Sequence, residues 1–240
     1  MHRMRFRGFD LFYNNEQAAE SMVRQIDEFS SFFTPSGDRP LIIDCGANIG
    51  VSVLEWKTRW PQAEIICFEP DPFAFEVLQT NIEANDIAGV QCVNAAVFDR
   101  DGTIDFFGEL SPDADARGNS AEPHWADRDG CSQTTVRCTR LSPYINREVS
   151  FLKLDIEGAE QRVLTEITDR LNLVQAMYVE VHETRESQQT NSLMMSEEMI
   201  SDSGFTLETE TRYGEHALPE HLDSWRQSTG AELTQLLCWR

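Results

Sequence analysis

LIIDCGANIG, residues 41–50, passes from a short apolar run through an acid into a Gly-x-Asn-x-Gly turn. Leu41, Ile42 and Ile43 read as a buried strand, and Val51, Leu54 and Glu55 begin a helical pattern beyond the turn. Gly46 and Gly50 stand where the backbone must take positive φ or let a ligand come close. A strand, turn and helix of this kind open on the carboxyl edge of a parallel sheet, where α/β proteins bind nucleotides.

Downstream, Glu64 to Phe68 reads as a second strand ending at Glu69, and Asp71 caps a helix with Pro72 in its first turn. Phe75, Leu78 and Ile82 would face the sheet, and Val90 to Val93 is a third strand, giving the β-α-β-α rhythm of a parallel sheet. Val97 and Phe98, the turn residues 99–102, and Thr103 to Phe107 suggest a hairpin closed by Asp-Gly. Gly108 to Gln133 lacks periodicity and is expected to be a lid or a disordered insertion, with His124 and Trp125 as its recognition residues. Beyond it, Thr134 to Thr139 and Phe151 to Leu154 read as strands, the latter running into Asp155 and a helix that starts at Gly158. Met177 to Val181 is a further central strand, ending in Glu180, His182 and Glu183. A helix near Leu193 to Ile200 stops at Gly204, and Phe205 to Thr211 and Glu232 to Trp239 would form a closing antiparallel pair. The connection between them carries His216, His221 and Trp225 and helps shape a pocket.

Upstream, Ala19, Met22, Val23, Ile26, Phe29 and Phe33 recur at helical spacing after Asn14 and Asn15, and Pro35 and Gly37 end the pattern. Residues 1–36 are therefore expected to be an N-terminal helical extension, and 37–240 one α/β domain.

Asp plus Glu number 41 against 20 Lys plus Arg, a formal charge of -21, which would repel a nucleic-acid backbone. The opening MHRMRFRGFDLFYNN lacks an apolar core of secretory length, and no uninterrupted apolar run would span a membrane. A soluble, cytoplasmic protein is expected, with neither nucleic acid nor membrane as partner; the oligomeric state is left open. Cys45, Cys67, Cys92 and Cys138 lie in apolar runs without close CxxC spacing and read as reduced core residues.

A dinucleotide fold would carry GxGxxG, whose glycines hold a pyrophosphate. Here the turn is GxNxG, with Asp44 just before it and Glu69 nineteen residues after Gly50, where an acid grips ribose hydroxyls. Acids at 44, 71 and 155 would oppose a pyrophosphate and favour the sulfonium and ammonium of S-adenosyl-L-methionine.

The segments IDCGANIG, FEPDP, NAAV with its following DG turn, LKLDIEGAE and a strand ending EVH occur in that order between Leu41 and Glu183. In order and spacing they resemble the FkbM-type methyltransferases. The resemblance implies a class I methyltransferase, Rossmann-like α/β fold: a seven-stranded, mostly parallel sheet with helices on both faces and an antiparallel last strand. It also implies S-adenosyl-L-methionine as cofactor and, mostly, O-methylation. Carried over by motif, Asp44, Gly46, Asn48 and Gly50 would line the methionine part of the donor, and Glu69 would hold its ribose. Asp71 would lie near the adenine, with Asn94 and Ala95 at its edge. The structural alternatives are that Asp44 and Asn48 order a tight turn and that Asp71 only caps its helix.

Asp155, at the end of the fourth core strand, should face the donor's methyl group. Three roles stay open for it: general base toward an acceptor hydroxyl, ligand to a divalent metal, or N-cap of the next helix. Glu157 shares its side-chain parity if the strand persists, and Glu180 and His182 share one on the next strand, so the four would converge. Asp155, Glu180 and His182 are the catalytic candidates, with a neutral His182 suited to act as base near physiological pH; whether a metal joins them is open. The acceptor expected is a hydroxyl or carboxyl of a small molecule, sugar or peptide. A non-catalytic donor-binding or partner-binding module and an NAD-dependent oxidoreductase are the alternatives.

Overall fold

The computed structural model describes residues 1–26, 32–122, 132–211 and 226–240. The chain begins with strands β1 (His2–Phe6) and β2 (Phe9–Tyr13) and helix α1 (Glu16–Gln25), followed by β3 (Leu41–Cys45), α2 (Val51–Arg59), β4 (Glu64–Phe68), α3 (Pro72–Glu83) and β5 (Val90–Val93). Then come β6 (Ala96–Val97), β7 (Gly102–Gly108), β8 (Ser132–Thr139), β9 (Val149–Leu154), α4 (Glu160–Glu166) and β10 (Val174–Glu183). Helix α5 (Leu193–Asp202) and strands β11 (Thr206–Thr211) and β12 (Glu232–Trp239) complete it.

Seven strands form the central sheet in the order β11-β12-β10-β9-β3-β4-β5. Only β12 runs against its neighbours, pairing antiparallel with both β10 and β11, as expected for the last strand. The register sets Ile42 opposite Phe151 and Ile43 opposite Leu152, so alternate residues feed two different cores. Ile42, Phe151 and Tyr178 pack with α2, α3 and the N-terminal segment; Ile43, Leu152 and Val179 pack with α4 and α5. Phe151 is the hub of the first core, with the Trp56 ring at 5.2 Å and the Phe33 ring at 5.6 Å.

Two expectations are corrected. The hairpin proposed for 97–107 does not form: β8 lies between the two runs, parallel to β6 and antiparallel to β7, in a separate three-stranded sheet. The Asp-Gly turn redirects the chain there without pairing the flanking runs, because Ile104, Phe106, Val136 and Cys138 bury a small core of their own. The helix read as continuing to Phe33 ends at Gln25; Phe29 lies outside the described residues, and Phe33 reaches the core from a non-helical segment.

The N-terminal extension opens with a hairpin that the helical reading did not anticipate. Arg7 and Gly8 both take positive φ, the geometry of a two-residue turn matched to strand twist. Its β2 edge is covered by a helix. On α3 and just beyond it, Asn81 and Asn85 stand one turn apart and meet Phe12 and Asp10, two residues apart on the strand. Asn81 accepts from the Phe12 N–H (2.6 Å) and donates to its carbonyl (3.0 Å), while Asn85 does the same for Asp10 at 2.8 Å each way. Two amides thus replace a neighbouring strand, because one helical turn nearly matches the two-residue repeat of a strand. Asn81 also donates to the Ile49 carbonyl (2.8 Å), tying the hairpin to the glycine turn.

Asn81→Ala leaves three main-chain groups without this partner, and a loss of about 2–4 kcal/mol in urea unfolding is expected. Limited proteolysis should cut the variant first within residues 1–15; an unchanged digestion pattern would show that the amide does not hold the hairpin.

Candidate active site

The carboxyl ends of β3, β4, β9 and β10 converge on one edge. Gly46, Asn48 and Gly50 all take left-handed backbone angles, with φ of 83°, 48° and 88°. Gly46 is required sterically as well, since a Cβ there would lie 1.9 Å from the Asp155 carbonyl oxygen. Asp44 is fully buried: one carboxylate oxygen accepts from the Ser52 hydroxyl, and the other has no hydrogen-bond partner and stands 3.6 Å from the Lys153 ammonium.

Glu69 is held from both sides, its two oxygens accepting from the N–H groups of Asn48 and Asp71 at 2.8 Å each. Burial is the main reason its carboxyl is pushed up to about 8, and the two N–H bonds only partly offset it. Asp71 acts as the helix cap expected of it, accepting from the N–H groups of Phe73 (2.8 Å) and Ala74 (3.3 Å). Its second oxygen accepts from Asn119 at 2.9 Å. Asn94 donates to the carbonyls of Glu69 and Pro70, and the buried Ala95 bonds through its N–H to Val93. Both therefore shape the rim beside Glu69. A cleft of about 370 Å³ opens next to this group, with Tyr13, Met22, Asn48, Asp71, Phe73 and Pro112 among its walls.

The second half of the site is a charge cluster. Lys153, buried in β9, lies 3.0 Å from Asp155 and donates to the Gly46 carbonyl at 3.0 Å. Burial disfavours its charge, but the Asp155 and Asp44 carboxylates outweigh that and hold its pKa above the ordinary value. The strand expected to carry Glu157 beyond Asp155 ends at Leu154. Convergence arises differently: Glu157 takes a left-handed φ of 59°, and its carboxylate lies 3.2 Å from the Nε2 of His182. Asp155 is not a helix cap, for α4 begins at Glu160 with Ala159 as its capping residue.

His182 is 3 % exposed and its Nδ1 lies 2.9 Å from Glu160. Glu160, fully buried, also accepts from the N–H groups of Ile156 and Gly158 and from the Asn191 amide. Burial works against a charged imidazole, but Glu157 and Glu160 prevail and raise the His182 pKa well above its ordinary value. Both ring nitrogens thus face carboxylates, surroundings that favour the charged imidazole over the neutral base expected from the sequence. Glu180, on the same strand, is pushed up to about 8, mainly by burial and then by Asp155.

Residues 109–122 of the insertion are folded across this edge. Asn119 bonds Asp71 at one end, and the Ser120 hydroxyl donates to the Glu157 carbonyl at the other. Arg117 pairs with Asp115 and also feels the charge of Glu157. His124, Trp125, His216, His221 and Trp225 lie outside the described residues. Glu160, Asn119 and Asn191 were not among the sequence candidates; Glu160 stood within LKLDIEGAE, whereas Asn119 and Asn191 carry no local signal.

The model of the methyltransferase FkbM domain matches residues 44–221. Methyltransferase 1 of Beauveria bassiana is 26% identical over 194 residues, covering 73% of this chain and 76% of that protein. The 2-O-methyltransferase NoeI of Sinorhizobium fredii is 27% identical over 157 residues, 59% of this chain and 63% of its own length. Among solved structures, methyltransferase FkbM from Methylobacillus flagellatus superposes with a TM-score of 0.54 at 15% identity, over 87% of this chain and 46% of that one. The chain thus spans under half of that structure, and the shared part has the class I methyltransferase fold. No helix among the described residues is long and apolar enough to cross a membrane.

Glu69 sets a pH dependence with a definite sign. Its folded value of about 8 exceeds the ordinary 4.5, so across that window the folded chain keeps a proton the unfolded chain has lost. Its contribution to stability is complete below about 4.5 and is lost as pH rises toward 8. In urea unfolding at pH 5 and pH 8, wild type should lose roughly 1–3 kcal/mol relative to Glu69→Gln. Parallel curves would contradict this assignment.

Proposed function

The chain belongs to the methyltransferase FkbM family, and from that premise we propose that it methylates an oxygen of a small-molecule, sugar or peptide acceptor, with S-adenosyl-L-methionine as donor. When bound, the donor supplies an electrophilic methyl group on a sulfonium. The observation that carries the reading is the pairing, on one sheet edge, of a left-handed glycine turn beside the buried Asp44 with the carboxylate cluster around Asp155. The residues fit the donor: one Asp44 oxygen receives no hydrogen bond and only the Lys153 ammonium at 3.6 Å, and each Glu69 oxygen, bonded to one N–H, keeps a lone pair for a ribose hydroxyl. Asp71, already engaged at both oxygens, orders the rim.

Oxygen as the methylated atom is supported by the name of the NoeI relative and by the chemistry at the other end of the site. Asp155 and Glu157 are each about a fifth exposed at the carboxyl edge of the sheet. They can orient a hydroxyl and take its proton as the carbon–oxygen bond forms. His182, its Nε2 3.2 Å from Glu157, holds that carboxylate in place. Most of the acceleration then comes from holding the reactants together away from water. The net charge of -21 supports an acceptor other than nucleic acid, and the free cysteines suit a reducing cytoplasm. A pyrophosphate on this edge would meet the buried Asp44 carboxylate as a like charge.

Calorimetry with S-adenosylmethionine and S-adenosylhomocysteine tests the proposal. Folded wild type should bind both, and Glu69→Ala should weaken binding at least about tenfold through lost charged hydrogen bonds. With a Glu69 value of about 8, roughly a tenth is ionised at pH 7 and half at pH 8, so affinity should rise about fivefold between them. Folded protein that binds neither compound would sink the assignment.

A further inference from the structure

We propose that Asp155, Glu157 and His182 form a binding site for a divalent cation of the Mn²⁺ type at the carboxyl edge of the sheet, with Glu160 as the residue that orients the imidazole. The three side chains each bring one ligand atom within 4.8 Å of the other two. Ligands held about 2.1 Å from one ion stand roughly 3–4 Å apart, so little movement closes the set. His182 Nε2 already lies 3.2 Å from Glu157 and 3.9 Å from Asp155.

The imidazole is mounted as a ligand. Nδ1 is engaged by Glu160, which lies behind the ring and is anchored by the Ile156 and Gly158 N–H groups and by Asn191. That leaves Nε2 directed at the two carboxylates, where a cation would take the place of the Nε2 proton and release it to solvent, the arrangement in which a carboxylate fixes the tautomer and aim of a metal-bound histidine. Three segments supply the set: the end of β9, the left-handed turn after it, and β10. Histidine forms the buried wall, and the partly exposed Asp155 and Glu157 leave the solvent side open for further ligands.

Charge points the same way. Asp155, Glu157, Glu160 and Glu180 crowd around His182, and Lys153 is shared with Asp44 while Arg117 is held by Asp115. Two carboxylates and a single nitrogen suit a borderline-hard cation better than a thiophilic one. Ion binding stands by itself; only its use, to bind and acidify an acceptor hydroxyl, rests on the methyl-transfer reading.

The test titrates Mn²⁺ into the full chain without donor and follows the free ion by electron paramagnetic resonance. One ion per chain is expected, and Co²⁺ in its place should give visible bands of a nitrogen–oxygen site. Glu157→Gln and His182→Ala should each weaken binding by roughly tenfold or more, and Glu160→Gln by about 10–100-fold with shifted Co²⁺ bands. Near-ultraviolet circular dichroism checks each variant's folding, and Asp155→Asn replaces any that does not fold. The inference is overturned if folded wild type leaves millimolar Mn²⁺ free, or if the variants bind as wild type does, which would place the ion on other surface acids. Calorimetry with S-adenosylhomocysteine on the same samples separates the two readings: donor binding without ion binding removes this inference alone.

Discussion

Lys153 stands in the middle strand of the site with its ammonium between Asp44 and Asp155 and against the Gly46 carbonyl. An ammonium out of water is tolerable only when paired, and removing one partner of such a pair costs about 3–5 kcal/mol. The pairing also has geometric content. Asp44 belongs to β3 and its glycine turn, whereas Asp155 follows β9, so a single cation fixes the spacing between the donor end and the acceptor end. Gly46 completes the clamp, since any side chain there would collide with the Asp155 carbonyl.

Around this cation, the acids divide by what surrounds them. Glu69 and Glu180 are buried with too little compensation and are driven toward the protonated form. Glu160 is equally buried but receives two main-chain N–H groups, an amide and an imidazole. His182 takes its state from the anchor behind it and from Glu157 in front.

What the sequence could convey follows from the range of the forces involved. The LIIDCGANIG turn, the Asp71 cap and the strand ends at Phe68 and Glu183 depend on neighbours within a few residues, and they stand where their patterns put them. Features set by distant partners were misread or missed. The 97–107 run carries a proper turn signal, yet β8 inserts beside it from thirty residues away. Glu157 reaches His182 through a left-handed residue rather than strand parity, and no alternation rule contains that option. A neutral imidazole was the natural reading of an isolated histidine; only the three-dimensional arrangement reveals a carboxylate at each nitrogen. The β2 edge, likewise, is satisfied by two asparagines some seventy positions away.

The small sheet has an implication for how acceptor choice can vary. Because β8 returns to lie alongside β6, with the Phe98 N–H bonded to the Thr139 carbonyl at 2.9 Å, the whole excursion between them leaves and re-enters the domain at one point. Closing a flexible loop costs only about 0.6 kcal/mol more for each doubling of its length. Insertions or deletions there would therefore remodel the wall facing Glu157 without altering the register of β3, β4 or β9. The donor end is locked by a buried ion pair, and the acceptor end is hung on a segment whose length is nearly free to drift between lineages.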